Sequence, residues 1–498
     1  MTITIEKRDE ATLFVSSDDY GIEQELNEFF TFDVPGARFM PAFKNKIWDG
    51  KARMYDIRRK TLPVGLADYV RLFADKNEYP VIDKTFDERD NLTTEEVQKF
   101  VDSLNLHTGG RKIALRDYQV EAIRHAINHN GGLLLSPTSS GKSAIIYCYV
   151  RWHLRYNRRI ILMVPTTSLV EQMFSDFDDY SSEDEWDVNE HVHKLYGGQE
   201  KSFDLPVLIT TWQSIHSITK KDAKSKLLDA WDVYIGDEAH LFASKSILEI
   251  ATKLRRAKYR LGTTGTLQDA KVSKLTLEGS FGPVHVVTTT RELMDRGQVT
   301  NLKITTLVLE YPIEERKLVK KVEYRQELDF IIGHKRRLAF TAKLAKACKG
   351  NTLVLFEFVE KHGKPLHKLI REVCGEDRPL FYISGEVSVD ERERIRQVLN
   401  THNDAIVVAS FKTLSTGVNI PSIENIIFAS PGKSKIRNLQ SIGRGLRLKD
   451  GKEMCRLFDI ADDLSTNSKG NFSLNHMKAR LEQYREEQLE FSIKHYKI

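Results

Sequence analysis

Cysteine is scarce: Cys148, Cys348, Cys374 and Cys455 are the only ones in 498 residues. They lie far apart and form neither Cys-x-x-Cys nor a Cys/His cluster, which argues against a disulfide framework and a structural zinc site. Long apolar runs are missing as well. No uninterrupted stretch approaches the ~20 residues that cross a bilayer, and Met1 to Lys7 alternates like a strand instead of forming the apolar block of a signal peptide. A membrane partner is not expected, and the cytoplasm is the expected location. Strong charge of one sign is also lacking, the net value being +5, so any charged partner must be read from how the charge is distributed. What the chain does have is 41% hydrophobic and 29% charged residues, a globular composition, and length for about three domains.

Residues 1–82 read as a small basic α+β unit. An early strand lies within Met1 to Val15, a helix over Gly21 to Phe30, a hairpin over Phe43 to Ile57 turning at Asp49-Gly50, and a second helix around Tyr69 to Phe73. Between Arg38 and Lys60, eight basic residues, Lys44, Lys46, Arg58 and Arg59 among them, outnumber two acids, with Phe39, Phe43, Trp48 and Tyr55 interleaved. Such a pattern suits a nucleic-acid backbone with exposed bases. It equally suits an aromatic core beneath an ordinary solvated face, and the sequence leaves both readings open.

Residues 83–112 read as a linker with a short helix over Thr94 to Leu104. From 113 to 300, short apolar strands (Leu133 to Leu135, Ile160 to Val164, Val207 to Thr210, Val233 to Ile235, Tyr259 to Thr263) alternate with helical patterns. A second series follows over 301–465, at Lys303 to Leu309, Thr352 to Phe356, Pro379 to Ile383, Ala405 to Ala409, Asn425 to Ala429 and Cys455 to Asp459. That rhythm predicts an α/β protein with two parallel sheets, each covered by helices. The acidic stretch Asp176 to Glu190 reads as a solvated loop. The tail, 466–498, reads as one amphipathic helix packed back on the second series, with partner binding as the alternative.

Two constellations carry chemistry. Ser136-Pro137-Thr138-Ser139-Ser140-Gly141-Lys142-Ser143 follows an apolar strand and opens a helical pattern, the arrangement of a phosphate cradle. Backbone N–H groups face the phosphates, Lys142 reaches the outer two, and the Ser143 hydroxyl holds Mg²⁺. Ser136 stands where the usual first glycine would. Further on, the apolar strand Val233 to Ile235 runs into Asp237-Glu238-Ala239-His240. Asp237 at the mouth of a sheet can hold Mg²⁺ through water, and Glu238 can orient and deprotonate an attacking water. Together the two motifs predict nucleoside triphosphate hydrolysis.

With this phosphate loop upstream, Asp-Glu-Ala-His resembles the signature of superfamily-two helicases, and the remaining motifs of that family follow in order. Leu115 to Ala122 is similar to the adenine-reading segment, which assigns Gln119 and Arg116 to the nucleotide. Val164 to Gln172 and Thr210 to Ser214 resemble the segments that grip the nucleic-acid backbone, through Thr166 and Thr211. Gly262-Thr263-Thr264-Gly265-Thr266 resembles the motif that couples hydrolysis to movement. Ser410 to Pro421 is similar to the segment touching both nucleic acid, through Ser410 and Thr416, and nucleotide, through Gly417. Gln440 to Arg447 matches Q-x-x-G-R-x-x-R, whose Arg444 and Arg447 reach the γ-phosphate beside Gln440.

The resemblance implies two tandem RecA-like motor domains behind the small front domain, with ATP and Mg²⁺ as cofactors. As a whole the chain resembles phage recombination helicases, which implies a DNA partner, branched and with single-stranded/double-stranded junctions, and RNA in R-loops. An RNA helicase of the same fold, or an ATP-gated clamp that binds without unwinding, remains open, because the motor motifs touch mainly backbone.

Overall fold

The computed structural model describes residues 1–498 apart from 86–88, 198–203, 222–225, 244, 268–270, 386, 388, 416–422, 433, 435–441, 444–445, 447–451, 453 and 467–469. The chain forms two compact units, Met1–Ser136 with Gly141–Thr288, and Thr289–Ile498 together with the loop residues Pro137–Ser140.

At the N-terminus Ile3, Ile5, Leu13 and Val15 all point inward. The single early strand expected there is a hairpin of β1 (Ile3–Lys7) and β2 (Thr12–Ser17), reversed where Asp9 accepts the Ala11 N–H at 2.9 Å. With β5 (Thr61–Pro63) and β6 (Val81–Lys84) they form a sheet of order β5-β2-β1-β6, while β3 (Thr31–Asp33) and β4 (Lys51–Arg53) pair as a separate ribbon. Helices Tyr20–Phe29 and Ala67–Lys76 bury Ile22, Leu26, Val70 and Phe73 against the sheet.

The hairpin expected over Phe43 to Ile57 does not form. Pro41 opens a helical turn, Pro41–Lys44, and Asp49 accepts the Lys51 N–H at 3.1 Å, starting a strand that pairs back to β3. Asp49-Gly50 therefore ends a long excursion instead of joining two adjacent strands.

The expected linker is also more than a linker. Thr93 and Glu96 cap its helix, Thr94–Ser103, reciprocally. The helix buries Val97, Phe100 and Val101 in one core with Ile123, Ile127 and Ile146. A short hairpin, β7 (His107–Thr108) and β8 (Arg111–Lys112), follows. In the acidic run, Asp179 accepts from the Thr108 hydroxyl at 2.6 Å and Asp184 pairs with Arg151 at 2.6 Å. That stretch is tied to the domain through these two residues and is not purely a solvated loop.

The first parallel sheet comprises β9 (Gly131–Leu135), β10 (Ile160–Val164), β11 (Val192–Leu195), β12 (Val207–Thr211), β13 (Val233–Asp237), β14 (Tyr259–Thr264) and β15 (Val284–Val286), in the order β11-β12-β10-β13-β14-β9-β15. Every residue of β10, β12 and β13 is buried, as a strand covered by helices on both faces requires. The second sheet comprises β16 (Asn301–Glu310), β17 (Thr352–Phe356), β18 (Leu380–Ile383), β19 (Ile406–Ser410), β20 (Asn425–Phe428), β21 (Met454–Asp463) and β22 (Phe491–Lys497), in the order β18-β19-β17-β20-β21-β16-β22. Renumbered from its own first strand, each sheet reads 3-4-2-5-6-1-7. The two series are copies of one architecture, down to the seventh strand at the edge.

That seventh strand corrects the reading of the tail. Its helix ends at Glu486, and Phe491–Lys497 continues as a strand parallel to β16. The helix, Phe472–Glu486, is fixed to the second unit by Arg480, whose guanidinium meets Asp459 at 2.8 Å with both side chains buried. A second buried pair, Arg337 with Asp462 at 2.7 Å, joins the helix Lys335–Ala347 to the same strand. Removing one partner of such a pair leaves a buried charge without compensation.

Within the first unit, the front domain sits on the helix Lys271–Phe281. A Cβ on Gly65 would fall 1.9 Å from the Glu278 carbonyl oxygen, so only glycine allows this approach. The Tyr69 hydroxyl donates to the buried Glu278 carboxylate at 2.7 Å, and Leu275 of that helix completes the front domain's core.

Candidate active site

The strands of the first sheet bring the site residues to their C-terminal ends, the crevice where open α/β sheets bind ligands. β9 leads into the phosphate loop, whose start is fixed by the Ser136 N–H donating to the Thr264 carbonyl at 2.8 Å. Ser140 donates its hydroxyl to the Pro137 carbonyl at 2.7 Å, closing a tight turn. Ser139 and Gly141 both adopt positive φ, +72° and +83°. Gly141 then caps the helix Lys142–Leu154, so the loop ends on a helix N-terminus with its partial positive charge. The Lys142 ammonium donates to the Ser136 carbonyl at 3.1 Å, which folds its stem over the loop.

Gln119 fits this loop closely. Its side chain accepts the Arg116 N–H at 2.8 Å and donates to the Gly141 carbonyl at 3.5 Å. A Cβ on Gly141 would sit 2.2 Å from the Gln119 amide nitrogen. The Arg116 guanidinium donates to the Tyr118 hydroxyl at 2.8 Å. The structure thus brings the expected adenine-reading segment against the phosphate loop. It adds one residue the sequence did not indicate: Tyr180, whose hydroxyl lies 2.8 Å from the Ser143 hydroxyl. Nothing in the acidic run around Tyr180 marks it, since the contact is made across two packed helices.

β13 delivers Asp237 and Glu238. Asp237 is buried and accepts the Thr263 hydroxyl at 2.6 Å. Burial first, and the neighbouring Glu238 carboxylate second, push its carboxyl above the usual range, while the Lys142 ammonium opposes them. Glu238 has φ +53°, a strained setting for a residue with a side chain, and its Oε2 is buried without a hydrogen bond. The His240 Nδ1 approaches that oxygen at 3.4 Å. Burial holds His240 down at about 4, so at neutral pH this contact is not an ion pair.

The Thr264 hydroxyl donates to the Thr266 carbonyl at 2.8 Å and so accepts from His240 Nδ1 at 3.0 Å, which places the imidazole proton on Nδ1. Two threonines in succession therefore tie the acidic motif to the end of β14.

This donor set suits a magnesium nucleotide. Mg²⁺ is held by one or two protein oxygens plus substrate phosphates, seldom by an all-protein cage, and no cluster of three or more His, Cys, Asp or Glu poised for a metal exists among the described residues. Two crowded carboxylates, one with an orphaned oxygen, are relieved by a cation and a water.

Thr166 caps the helix Thr167–Tyr180 by accepting the Leu169 N–H at 3.3 Å. Thr211 and Ser410 are buried, and their hydroxyls meet Ser214 at 2.9 Å and Thr413 at 2.6 Å. All three follow one pattern, a strand end whose hydroxyl caps the next helix. Gln213 links the first two segments by donating to the Pro165 carbonyl at 3.4 Å. Thr416, Gly417, Gln440, Arg444 and Arg447 lie outside the described residues.

In the front domain, Lys44, Lys46, Arg58 and Arg59 are exposed. Of the interleaved aromatics only Tyr55 is core, donating to the Val15 carbonyl at 2.8 Å. Phe39 is 67% exposed and Phe43 37%, and Arg38 stacks on Phe39 at 4.8 Å. An aromatic core beneath solvated charge thus describes Tyr55 but not Phe39 and Phe43.

A phosphate loop and an adjoining acid pair at the C-terminal ends of the first of two matched parallel sheets are the parts of a nucleoside triphosphate-hydrolysing motor. Residues 112–269 match the family described as the res subunit of type III restriction enzymes, and 336–449 match the helicase conserved C-terminal domain. Residues 3–83 match the N-terminal domain of DNA helicase UvsW. The chain belongs to the UvsW family of helicases: it is 32% identical over 491 residues to the ATP-dependent DNA helicase uvsW of Enterobacteria phage T4, covering 94% of this chain and 95% of that one. The crystal structure of T4 UvsW matches over the full length of both chains, with TM-score 0.53 and 29% identity. The DNA 3'-5' translocase XPB2 of Sulfurisphaera tokodaii is 24% identical over 71% of this chain and 83% of its own.

Proposed function

We propose that this chain is a branched-DNA remodelling motor, in which ATP hydrolysis at the β9 and β13 ends drives strand separation and the front domain selects the junction. Membership of the family makes it an ATP-dependent DNA helicase and therefore an ATP hydrolase. The observation that carries the site assignment is the buried Asp237 carboxylate beside Glu238, whose Oε2 is buried without a hydrogen bond, within the field of Lys142.

In this reading Lys142 and the N–H groups of the loop take the phosphates, and Gln119 with Arg116 takes the base. Ser143 and Asp237 would hold Mg²⁺, which would supply positive charge to the transferred phosphoryl group. Glu238 orients and deprotonates the attacking water. Gln440, Arg444 and Arg447 serve the same reaction from the second motor domain, the two arginines supplying positive charge to the transition state. The Asp237–Thr263 and His240–Thr264 bonds pass changes at the acid pair to β14. The backbone N–H groups beside Thr166, Thr211 and Ser410 grip the DNA backbone with Thr416, while Gly417 serves the nucleotide. The phage origin of the T4 relative points to the cytoplasm of an infected host.

The front domain supports junction selection through its exposed cations and rings. Reversing charge at Lys44, Lys46, Arg58 and Arg59 should lower affinity for a four-way DNA junction and flatten its salt dependence by roughly one unit of slope for each phosphate that is no longer neutralised. Equilibrium binding across a salt series measures this. An unchanged slope would remove the front domain from the DNA interface.

A further inference from the structure

The front domain and the helix Lys271–Phe281 enclose a cavity of about 500 Å³ that the ATP site does not use, a volume within the range of ligand sites. Its walls are Phe29, Phe32, Tyr69 and Leu72. The rings are held in place. Phe29 packs edge-on to Phe30 at 5.0 Å and against Phe73 at 5.2 Å, and the Tyr69 hydroxyl is fixed on Glu278. Leu72 at the mouth is an apolar side chain 58% exposed, while Val70, Phe73 and Ala74 of the same helix are buried. Lys76 and Lys271 stand exposed at the rim. The Lys271 ammonium lies 5.0 Å from the Phe32 ring centre, and neither lysine has an ion pair among the described residues. Asp75 is the one acid lining the cavity.

Flat apolar walls with a cationic rim match an unstacked base whose flanking phosphates remain outside. Asp75 opposes a phosphate but accepts well from an exocyclic amine. Phe32 of the cavity lies on β3 and pairs with Ala52 of β4, and the exposed Arg38, Phe39 and Lys44 lie on the excursion between those strands. We propose that this cavity receives one unstacked base of a single DNA strand, with Lys76 and Lys271 against the adjoining phosphates. The site would hold a base released at the fork while the motor advances, and it rests on the helicase reading above.

The test compares binding of a single-stranded oligonucleotide with that of the same strand carrying abasic positions, using the full chain, Phe32→Leu and Phe29→Leu. Both substitutions keep an apolar side chain while removing the ring, and thermal melting checks the fold. Stacking of one base is worth roughly tenfold or more in affinity. The intact protein should prefer the ordinary strand by about that factor, and each variant should lose most of the preference while binding the abasic strand as before. Lys271→Ala should weaken both strands alike. The assignment is overturned if the variants keep the preference, if both strands weaken together in the ring variants, or if the intact protein does not distinguish the strands. In those cases the cavity is left to an apolar side chain of a protein partner. Because strand separation on a junction is measured separately, failure here is distinguishable from failure of the helicase reading.

Discussion

At the scale of single residues, the site is built from neighbours that hold one another in unfavourable states. Asp237 is buried beside Glu238, Glu238 has a backbone angle of +53°, and its Oε2 has no hydrogen-bond partner. Strain of this kind persists only where the surroundings enforce it, here through the Thr263 and His240 contacts. If Glu238 positions and deprotonates the water, Glu238→Gln should lower ATP turnover by ~10²–10⁴-fold while nucleotide still binds. Phosphate release and fluorescent-nucleotide titration check the two halves of that statement; turnover within a few-fold of the unsubstituted enzyme would move the base elsewhere. Tyr180 shows what a residue-by-residue reading misses, since its bond to Ser143 exists only because the two helices pack side by side.

At the scale of elements, the helix Lys271–Phe281 carries the front domain, and Gly65 is the point of closest approach. Gly65→Ala sets a methyl group against the Glu278 carbonyl oxygen. It should destabilise the first unit by ~1–3 kcal/mol, as overpacking does, and expose the front domain to limited proteolysis. Unchanged melting and cleavage would show that the contact gives way freely. The strands of both parallel sheets other than the edge strands β11, β15 and β22 were legible because strands covered on both faces are continuous apolar runs, Ile160 to Val164 and Thr352 to Phe356 being the clearest. The edge strand β22 was not, because Phe491-Ser-Ile-Lys-His-Tyr-Lys is mostly exposed and its lysines suit a sheet edge left open to water. The β3–β4 ribbon escaped for a different reason: its partners are separated by the excursion from Val34 to Gly50, while the turn signal at Asp49-Gly50 points to a local hairpin.

At the scale of the whole molecule, both units bury neutral histidines. Burial holds His240 in the first unit at about 4 and His362 in the second at about 3, against an ordinary 6.5. The unfolded chain takes up protons at these positions below 6.5, whereas the folded chain does so only near 4 or 3. Stability from these groups is therefore complete above pH 6.5 and is lost as pH falls towards 4. The melting temperature should be nearly flat from pH 8 to about 7 and decline steeply below about 6.5; a rise on acidification would contradict the buried neutral state. The phosphate loop and the acid pair could be singled out in the sequence because phosphate chemistry fixes residue types at fixed spacings. The approach of Gly65 to Glu278, which joins sequence-distant segments, left no local mark. The central claim is that hydrolysis at Lys142, Asp237 and Glu238 drives separation of branched DNA strands. The direct measurement is ATP-dependent resolution of a four-way DNA junction, beside a tailed DNA duplex and a tailed RNA duplex, with Lys142→Ala in parallel. The account predicts preferential resolution of the junction by the intact chain and a fall of at least about 10²-fold in the variant, which still binds the junction. Resolution by Lys142→Ala, a preference for RNA, or hydrolysis without strand separation would contradict it.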